Sequence, residues 1–287
     1  MNISVNTRIF AVLGQPVGQS LSPILHNRLF KEYQIDGVYF PIEVSSKNLD
    51  DLIKGFRLLN FGGFNITKPH KLQIMDSLDA IDPLAQKIGA VNTVVYKGGK
   101  MIGYNTDGFG FIKSIEDKLK TSPKEDLTIL ILGCGGAVKS VAIALAQWGV
   151  KKIVIANRTL EKAQSLCSQI NENFGDVAFA LKNDADSLAE ICSQANLIVN
   201  GTSLGMADTL DQTPLNKDLI RSDVLVYDMI YSPSKTRLLK EAEEQGAMIE
   251  NGLEMLLYQG LLAFELWTGI FPDPKLGKNI LLEGLES

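Results

Sequence analysis

The 287-residue sequence is poor in the residues that covalent staples and metal sites need, with three cysteines and two histidines. Cys134, Cys167 and Cys192 show no C-x-x-C spacing, and His26 and His70 stand far apart. Neither a disulfide framework nor a zinc site is expected. Positive charge is not in excess either, since 28 Lys and Arg face 33 Asp and Glu for a net charge of −5. That balance argues against nucleic acid as the main partner, because phosphate binding needs a basic face. Long apolar runs are missing as well. The most apolar late stretch, Leu253 to Phe271, is broken by Glu254, Gln259 and Glu265, so no membrane span is expected. The opening residues MNISVNTRIF lack the basic start and apolar centre of an export signal. No internal repeat or low-complexity tract is present. These absences leave a globular protein of a reducing cytoplasm, long enough for two domains with a core each.

What is present centres on Leu127 to Thr159, LTILILGCGGAVKSVAIALAQWGVKKIVIANRT. Leu127 and the run Ile129 to Leu132 read as a parallel strand covered on both faces. Gly133, Gly135 and Gly136 follow at once, and Val138, Val141, Ala142, Leu145 and Trp148 then recur at helical spacing up to Gly149. A second strand, Ile153 to Ala156, completes a βαβ unit. Glycines in the first turn let the backbone approach a pyrophosphate at the positive end of the helix. The second strand ends in Asn157-Arg158-Thr159 and not in an acid. A guanidinium there suits a 2′-phosphate, which an acid would repel, so the reading is NADP(H). A surface Arg beside a Thr N-cap is the plainer alternative.

Before this unit, strands are expected at Ile9–Leu13, Val38–Val44 and Phe64–Ile66, and helices at Ile24–Tyr33, Leu49–Leu59 and after Pro69. This alternation suggests a parallel α/β sheet. Val91–Tyr96 and Met101–Tyr104 flank Gly98-Gly99 as a hairpin, with a helix from Phe109 to Leu119 beyond it. After the unit come helices at Leu160–Asn173, Ser187–Gln194 and Arg237–Gln245, and strands near Val177–Leu181, Leu197–Asn200 and Val224–Asp228. The helix from Leu253 to about Thr268 carries apolar residues on two sides, with Gln259 within one of them, and is expected to be sandwiched.

Four short segments of the first half carry polar groups that invite chemistry. Ser22 before Pro23 is explained as an N-cap, but Ser20 is not. Two hydroxyls at a helix start also suit a small carboxylate, and both readings stand. In Asn65-Ile66-Thr67-Lys68-Pro69-His70-Lys71, cations in a first helical turn would oppose the macrodipole, which makes a retained lysine a candidate for chemistry. Gly89 to Thr93 and Gly103 to Gly108 flank the hairpin. Asp107, taken alone, reads as the N-cap of the helix from Phe109.

Taken together, these segments resemble the shikimate dehydrogenase family nearly end to end. The match runs through G-Q-P-V-G-Q-S-L-S-P-x-x-H-N at Gly14 to Asn27, N-I-T-K-P-H-K, G-A-V-N-T, G-x-N-T-D-G-x-G, the GxGG loop and Asn157-Arg158-Thr159. It continues through Asn200 to Met206, Asp228 to Tyr231, and Gly252 to Gln259. The resemblance implies two α/β domains: a substrate-binding sheet domain, 1–107 plus 248–287, and a Rossmann-type NADP-binding domain, 108–247, with a C-terminal helix returning to the first. It implies reversible reduction of 3-dehydroshikimate to shikimate by NADPH, in the pathway to aromatic amino acids. Lys71 and Asp107 would be the catalytic pair, and Ser20, Ser22, Thr67, Asn92, Tyr231 and Gln259 would bind substrate. Gly133, Gly135, Gly136 and Ala137 would surround the pyrophosphate, Asn157, Arg158 and Thr159 the 2′-phosphate, and Met229 and Gly252 the nicotinamide. The departures are small, with Cys134 where the family usually has Ala and Lys139-Ser140 where Arg and Ala are common. The implied partner is a small molecule, with no metal, and the chain acts as a homodimer or a monomer. The rival readings are an NAD-dependent quinate/shikimate dehydrogenase and a non-catalytic dinucleotide sensor.

Overall fold

Apolar strands alternating with helices build two sheets of six strands each. The computed structural model describes residues 3–59 and 61–286. Packing divides the chain into two units, Met1–Gly110 with Leu257–Ser287, and Phe111–Leu256.

In the first unit the chain runs β1 (Arg8–Gly14), α1 (Ser22–Glu32), β2 (Gly37–Glu43), α2 (Leu49–Leu59), β3 (Gly63–Ile66), β4 (Ala80–Ile81), α3 (Pro83–Ile88), β5 (Thr93–Lys97) and β6 (Lys100–Tyr104), then enters α4 (Asp107–Ile115). The sheet order is β2-β1-β3-β5-β6-β4. Strand β1 is parallel to β2 and β3, while β5 is antiparallel to both β3 and β6. The sheet is therefore mixed and not parallel throughout. The hairpin turns back through Gly98 and Gly99 and inserts its first strand beside β3.

No α-helix begins directly after Pro69. A 3-10 helix covers Gln73–Ser77 instead, and the Lys71 carbonyl accepts from the Val91 N–H at 2.8 Å where a helical amide would otherwise bind. The macrodipole argument for Lys71 thus loses its helix. Sequence reading also passed over β4 and α3. The former has two residues and the latter six, too short for a period to show, although Asp82 caps α3 by accepting from Leu84 N–H and Ala85 N–H.

The second unit runs β7 (Thr128–Leu132), α5 (Gly136–Trp148), β8 (Lys152–Asn157), α6 (Leu160–Phe174), β9 (Ala178–Lys182), α7 (Ala185–Cys192), β10 (Leu197–Asn200), β11 (Leu225–Asp228), α8 (Arg237–Glu244) and β12 (Met248–Glu250). All its strands are parallel, in the order β12-β11-β10-β7-β8-β9. The order reverses between β7 and β10, the place where open α/β sheets bind ligands. Its core gathers Leu130, Leu132, Val154, Ile198 and Val226 from the sheet with Leu238, Leu239 and Ala242 of α8.

Helix α9 (Leu253–Thr268) belongs to the first unit from Leu257 onward, followed there by α10 (Pro274–Glu286). Of one stripe Leu253, Leu257, Leu261 and Phe264 are buried and Leu256 partly so, and of the other Met255 is buried and Leu262 and Leu266 partly so, so both sides are covered, the second less fully. Trp267 donates its indole N–H to the Val94 carbonyl at 3.0 Å and packs 5.1 Å from Phe10. His26 lies in the same aromatic cluster, fully buried, 4.6 Å from Tyr39 and 5.0 Å from Trp267. Burial holds its pKa down at about 3, below the usual 6.5.

The unfolded chain therefore takes up a proton on His26 below about pH 6.5 that the folded chain refuses until about pH 3. Its contribution to stability is intact above pH 6.5 and is lost as the pH falls from there, at up to ~1.4 kcal/mol per pH unit. Urea unfolding of wild type and His26→Leu over that range is expected to show a shallower decline in the variant. Equal slopes would remove His26 as a cause.

Candidate functional site

Register gathers the first cluster. Strands β1 and β3 run parallel, so Gly14 and Ile66 end at one edge of the sheet, and antiparallel pairing brings the start of β5 and the end of β6 to that same edge. Asn65 is opposite Thr93, and Thr93 is opposite Tyr104. Lys71 follows β3, Asn92 immediately precedes β5, and Asp107 opens α4 just after β6. Lys71 Nζ donates to Asp107 Oδ2 at 2.5 Å, with the two side chains 24% and 10% exposed. Asn92 Nδ2 donates to Asp107 Oδ1 at 2.7 Å. Asp107 is thus no N-cap. Its two oxygens are taken by an ammonium and an amide, and a carboxylate so held is fixed in direction.

Asn92 is 3% exposed. Its Oδ1 accepts from the Thr106 N–H at 2.8 Å and from Thr93 Oγ1 at 3.0 Å. Behind it Asn65 donates to Thr93 Oγ1 at 3.0 Å and accepts from the Tyr39 phenol at 2.7 Å. Burial holds the Tyr39 phenol well above the usual tyrosine range, although the Ser22 side chain bonds to it, so Tyr39 stays protonated. Sequence reading missed Tyr39 and Asn65 as members of this group. The available signal was an amide inside the apolar strand Gly63–Ile66.

The serine pair sits at the start of α1, where Leu21 and not Ser22 occupies the N-cap position, without a side-chain cap bond. Ser22 is the first helical residue, and its N–H donates to Ser20 Oγ at 3.3 Å. Thr67 is partly buried behind β3, with its N–H on the Leu13 carbonyl at 2.8 Å. Gln259, on α9, is partly buried in the first unit. Tyr231 belongs to the second unit, where burial raises its phenol pKa.

In the second unit the glycine turn leaves β7 at Gly133, whose φ of +102° is a backbone conformation that side chains rarely adopt. Gly135 is the N-cap of α5 without a side-chain cap bond, and a methyl added at Gly135 or Gly136 would meet open space. The first N–H groups of α5 and the macrodipole are thus left for an anion. Gly135 and Gly136 border an open depression of about 420 Å³ together with Lys139, Glu161 and Lys162. Arg158 and Thr159 are exposed at the end of β8, and the Thr159 hydroxyl makes no cap bond to α6. Asn157 holds the turn by donating to the Thr159 carbonyl at 2.8 Å. Cys134 donates weakly to the Lys162 carbonyl, and burial raises its pKa, as befits filler in the turn.

Across the reversal point the ends of β10 and β11 are tied by buried polar side chains. Asp228 accepts from Asn200 Nδ2 at 3.0 Å, from the Ile230 N–H at 3.1 Å and from Thr236 Oγ1 at 2.6 Å. Burial raises its pKa against the pull of those bonds. The arrangement fixes Met229, and Gly252 fits against it so closely that an added methyl would stand 2.1 Å from the Met229 carbonyl oxygen. Among the described residues no group of three or more His, Cys, Asp or Glu could hold a metal ion, and no helix is long and apolar enough to cross a membrane.

Three family profiles match the chain: a shikimate dehydrogenase substrate binding domain over residues 12–94, a shikimate/quinate 5-dehydrogenase over 116–208, and a shikimate 5′-dehydrogenase C-terminal domain over 252–282. The shikimate dehydrogenase (NADP(+)) of Bacillus cereus (strain AH187) is 42% identical over 278 residues, 97% of this chain and 99% of that protein. A crystal structure of a shikimate dehydrogenase in complex with NADP+ has a TM-score of 0.90 at 41% identity, covering 98% of this chain and 97% of that one. Shikimate 5-dehydrogenase from Listeria monocytogenes, in complex with shikimate and NAD, has a TM-score of 0.93 at 35% identity, covering 98% of both chains.

Two glycines separate packing from ligand access. Gly252→Ala places a methyl on a backbone oxygen that cannot rotate away, and is expected to lower stability by roughly 2 kcal/mol or more. Gly135→Ala meets open space and is expected to stay within about 1 kcal/mol of wild type. Urea melts of both variants check the contrast, and equal stabilities would refute the packing assigned to Gly252.

Proposed function

The chain belongs to the shikimate dehydrogenase family, and on that premise we propose that it reduces 3-dehydroshikimate to shikimate reversibly with NADPH, using Lys71 and Asp107 as its acid/base pair. The observation that carries the reading is the 2.5 Å contact between Lys71 Nζ and Asp107 Oδ2, with the Asn92 amide on the other carboxylate oxygen. A partly exposed ammonium held this way can meet a substrate oxygen.

Bound NADPH would supply the hydride for the carbonyl carbon, becoming NADP+. The carbonyl π pair moves onto oxygen, and Lys71 gives that oxygen a proton, forming the O–H of shikimate. The resulting amine regains a proton from water. In the oxidative direction Lys71 takes the hydroxyl proton. Asp107 keeps the ammonium aimed and balances its charge, and a donor so placed contributes a factor of ~10² to 10⁴. Ser20 and Ser22 take the ring carboxylate, and Asn92 takes ring hydroxyls, with Thr67 and Gln259 as further substrate contacts of the first unit.

NADP(H) fits the second unit. Gly133, Gly135, Gly136 and Ala137 leave room and free N–H groups for a pyrophosphate. Arg158 with the uncapped Thr159 hydroxyl suits a 2′-phosphate, beside Asn157, and Lys162 lines the depression beside Gly135 and Gly136. Met229 and Gly252 take the nicotinamide. The first unit is the substrate domain and the second the cofactor domain. The enzyme acts in the cytoplasm, a reading supported by three unpaired cysteines.

Lys71→Ala is expected to lower kcat by about 10² to 10⁴ with a much smaller change in the KM for shikimate. An unchanged kcat would sink the assignment. The absorbance of NADPH, followed with shikimate or quinate and with NADP+ or NAD+, is expected to rise fastest for shikimate with NADP+. Arg158→Gln is expected to weaken NADP+ by roughly tenfold or more while sparing NAD+. Preference for quinate with NAD+ would overturn substrate and cofactor together, and NADPH binding without turnover in any arm would point to a sensor.

A further inference from the structure

A line of buried hydrogen bonds runs from β2 to the catalytic carboxylate within the first unit. The Tyr39 O–H donates to Asn65 Oδ1 at 2.7 Å, and Asn65 Nδ2 donates to Thr93 Oγ1 at 3.0 Å. Thr93 Oγ1 donates to Asn92 Oδ1 at 3.0 Å, and Asn92 Nδ2 donates to Asp107 Oδ1 at 2.7 Å. Exposure along the line is 2%, 6%, 0%, 3% and 7%.

Its direction is set by groups that have no alternative role. The Thr106 backbone N–H can only donate, and it meets Asn92 Oδ1 at 2.8 Å. The Asn92 amide nitrogen must then face Asp107. The Asn92 backbone carbonyl can only accept, and it takes Asn65 Nδ2 at 3.2 Å. Asn65 Oδ1 must then face Tyr39. Thr93, having accepted from Asn65, has one proton, with Asn92 Oδ1 at 3.0 Å and Thr106 Oγ1 at 3.2 Å in reach of it, and Asn92 Nδ2 also reaches Thr106 Oγ1 at 3.0 Å. The Tyr39, Asn65 and Asn92 donors of the main line point toward Asp107, with Thr106 Oγ1 as a side branch, and hydrogen bonds aligned head to tail polarise one another. A core built for stability alone would favour apolar residues at these positions, since buried polar groups gain little net stability and cost dearly when unmatched.

We infer that Tyr39, Asn65 and Thr93 are positioning residues for the Lys71–Asp107 pair. They lock the Asn92 amide in one orientation, so that Asp107 presents its second oxygen to Lys71 in a single geometry. They act through Asn92. The inference rests on Lys71 and Asp107 being the reacting pair of a shikimate dehydrogenase.

The test uses the full-length enzyme with saturating NADP+ and varied shikimate. Thr93→Val keeps the side-chain shape and removes the hydroxyl, Thr93→Ser restores the hydroxyl, and Tyr39→Phe removes the most distant donor while keeping the ring that stacks on His26. Thr93→Val is expected to lower kcat about tenfold with KM within about twofold. Thr93→Ser is expected to recover most of that loss, and Tyr39→Phe to lower kcat by a smaller factor, with a Tm near wild type. Where Thr93→Val fails to fold, Tyr39→Phe and Thr93→Ser decide alone. A wild-type kcat in both Thr93→Val and Tyr39→Phe overturns the inference. So does a rise in KM at constant kcat, or a Thr93→Ser no better than Thr93→Val at normal Tm. If wild type itself fails to oxidise shikimate, the proposed function is what fails. An active wild type with indifferent variants strikes only the positioning role.

Discussion

The antiparallel pairing of β5 with β3 is the constraint on which the first unit depends. In a sheet of parallel strands the carboxyl ends collect at one edge and the amino ends at the other. One reversed strand brings a start, Thr93, among the ends Gly14, Ile66 and Tyr104. Three residues remote in sequence, Lys71, Asn92 and Asp107, then meet with no long loop to close. A one-residue slip in β5 would turn Thr93 and its neighbours to the opposite face and detach Asn92 from Asp107. The apolar residues that hold the register, Phe64, Val94 and Met101, are fully buried, which makes that slip costly.

The second unit solves a different problem with less side-chain chemistry. Its parallel sheet presents the reversal between β7 and β10, and a turn of small residues leaves backbone donors exposed where a charged group can approach. Here the specific contacts are packing contacts. Gly133 lies against Gly201 and Thr202, and Gly252 against Met229, while Asp228, Asn200 and Thr236 keep the intervening backbone in place. One unit positions acids, bases and amides, and the other positions empty space.

Much of this was legible in the residues, for identifiable reasons. Long periodic elements such as α2, α6 and α9 announce themselves by apolar spacing, and the glycine turn by its place between strand and helix. Elements of two to six residues, such as β4, α3 and β12, carry no period and are held by tertiary contacts. The dipole argument for Lys71 fails, since the helix it was to oppose does not form, and what the fold offers in its place is the contact with Asp107. Asp107 alone looked like a cap. Only the fold shows its oxygens turned toward Lys71 and Asn92. Tyr39 and Asn65 stayed invisible because a tyrosine and an asparagine in strands have many uses, and only register tells which one applies.

The first unit is discontinuous in the chain. Its core closes only when Phe264 and Trp267, more than 150 residues beyond the last strand of its sheet, pack against Phe10, Phe30 and the Val94 carbonyl. On a ribosome the opening hundred residues emerge first yet lack the side chains that complete them. The second unit, contiguous from Phe111 to Leu256, is whole earlier. Birth order and folding order are thereby inverted. The amino-terminal sheet has to wait with its aromatic residues uncovered until Phe264 and Trp267 have been made, and it is this waiting interval, more than the finished enzyme, that is open to aggregation and to chaperones.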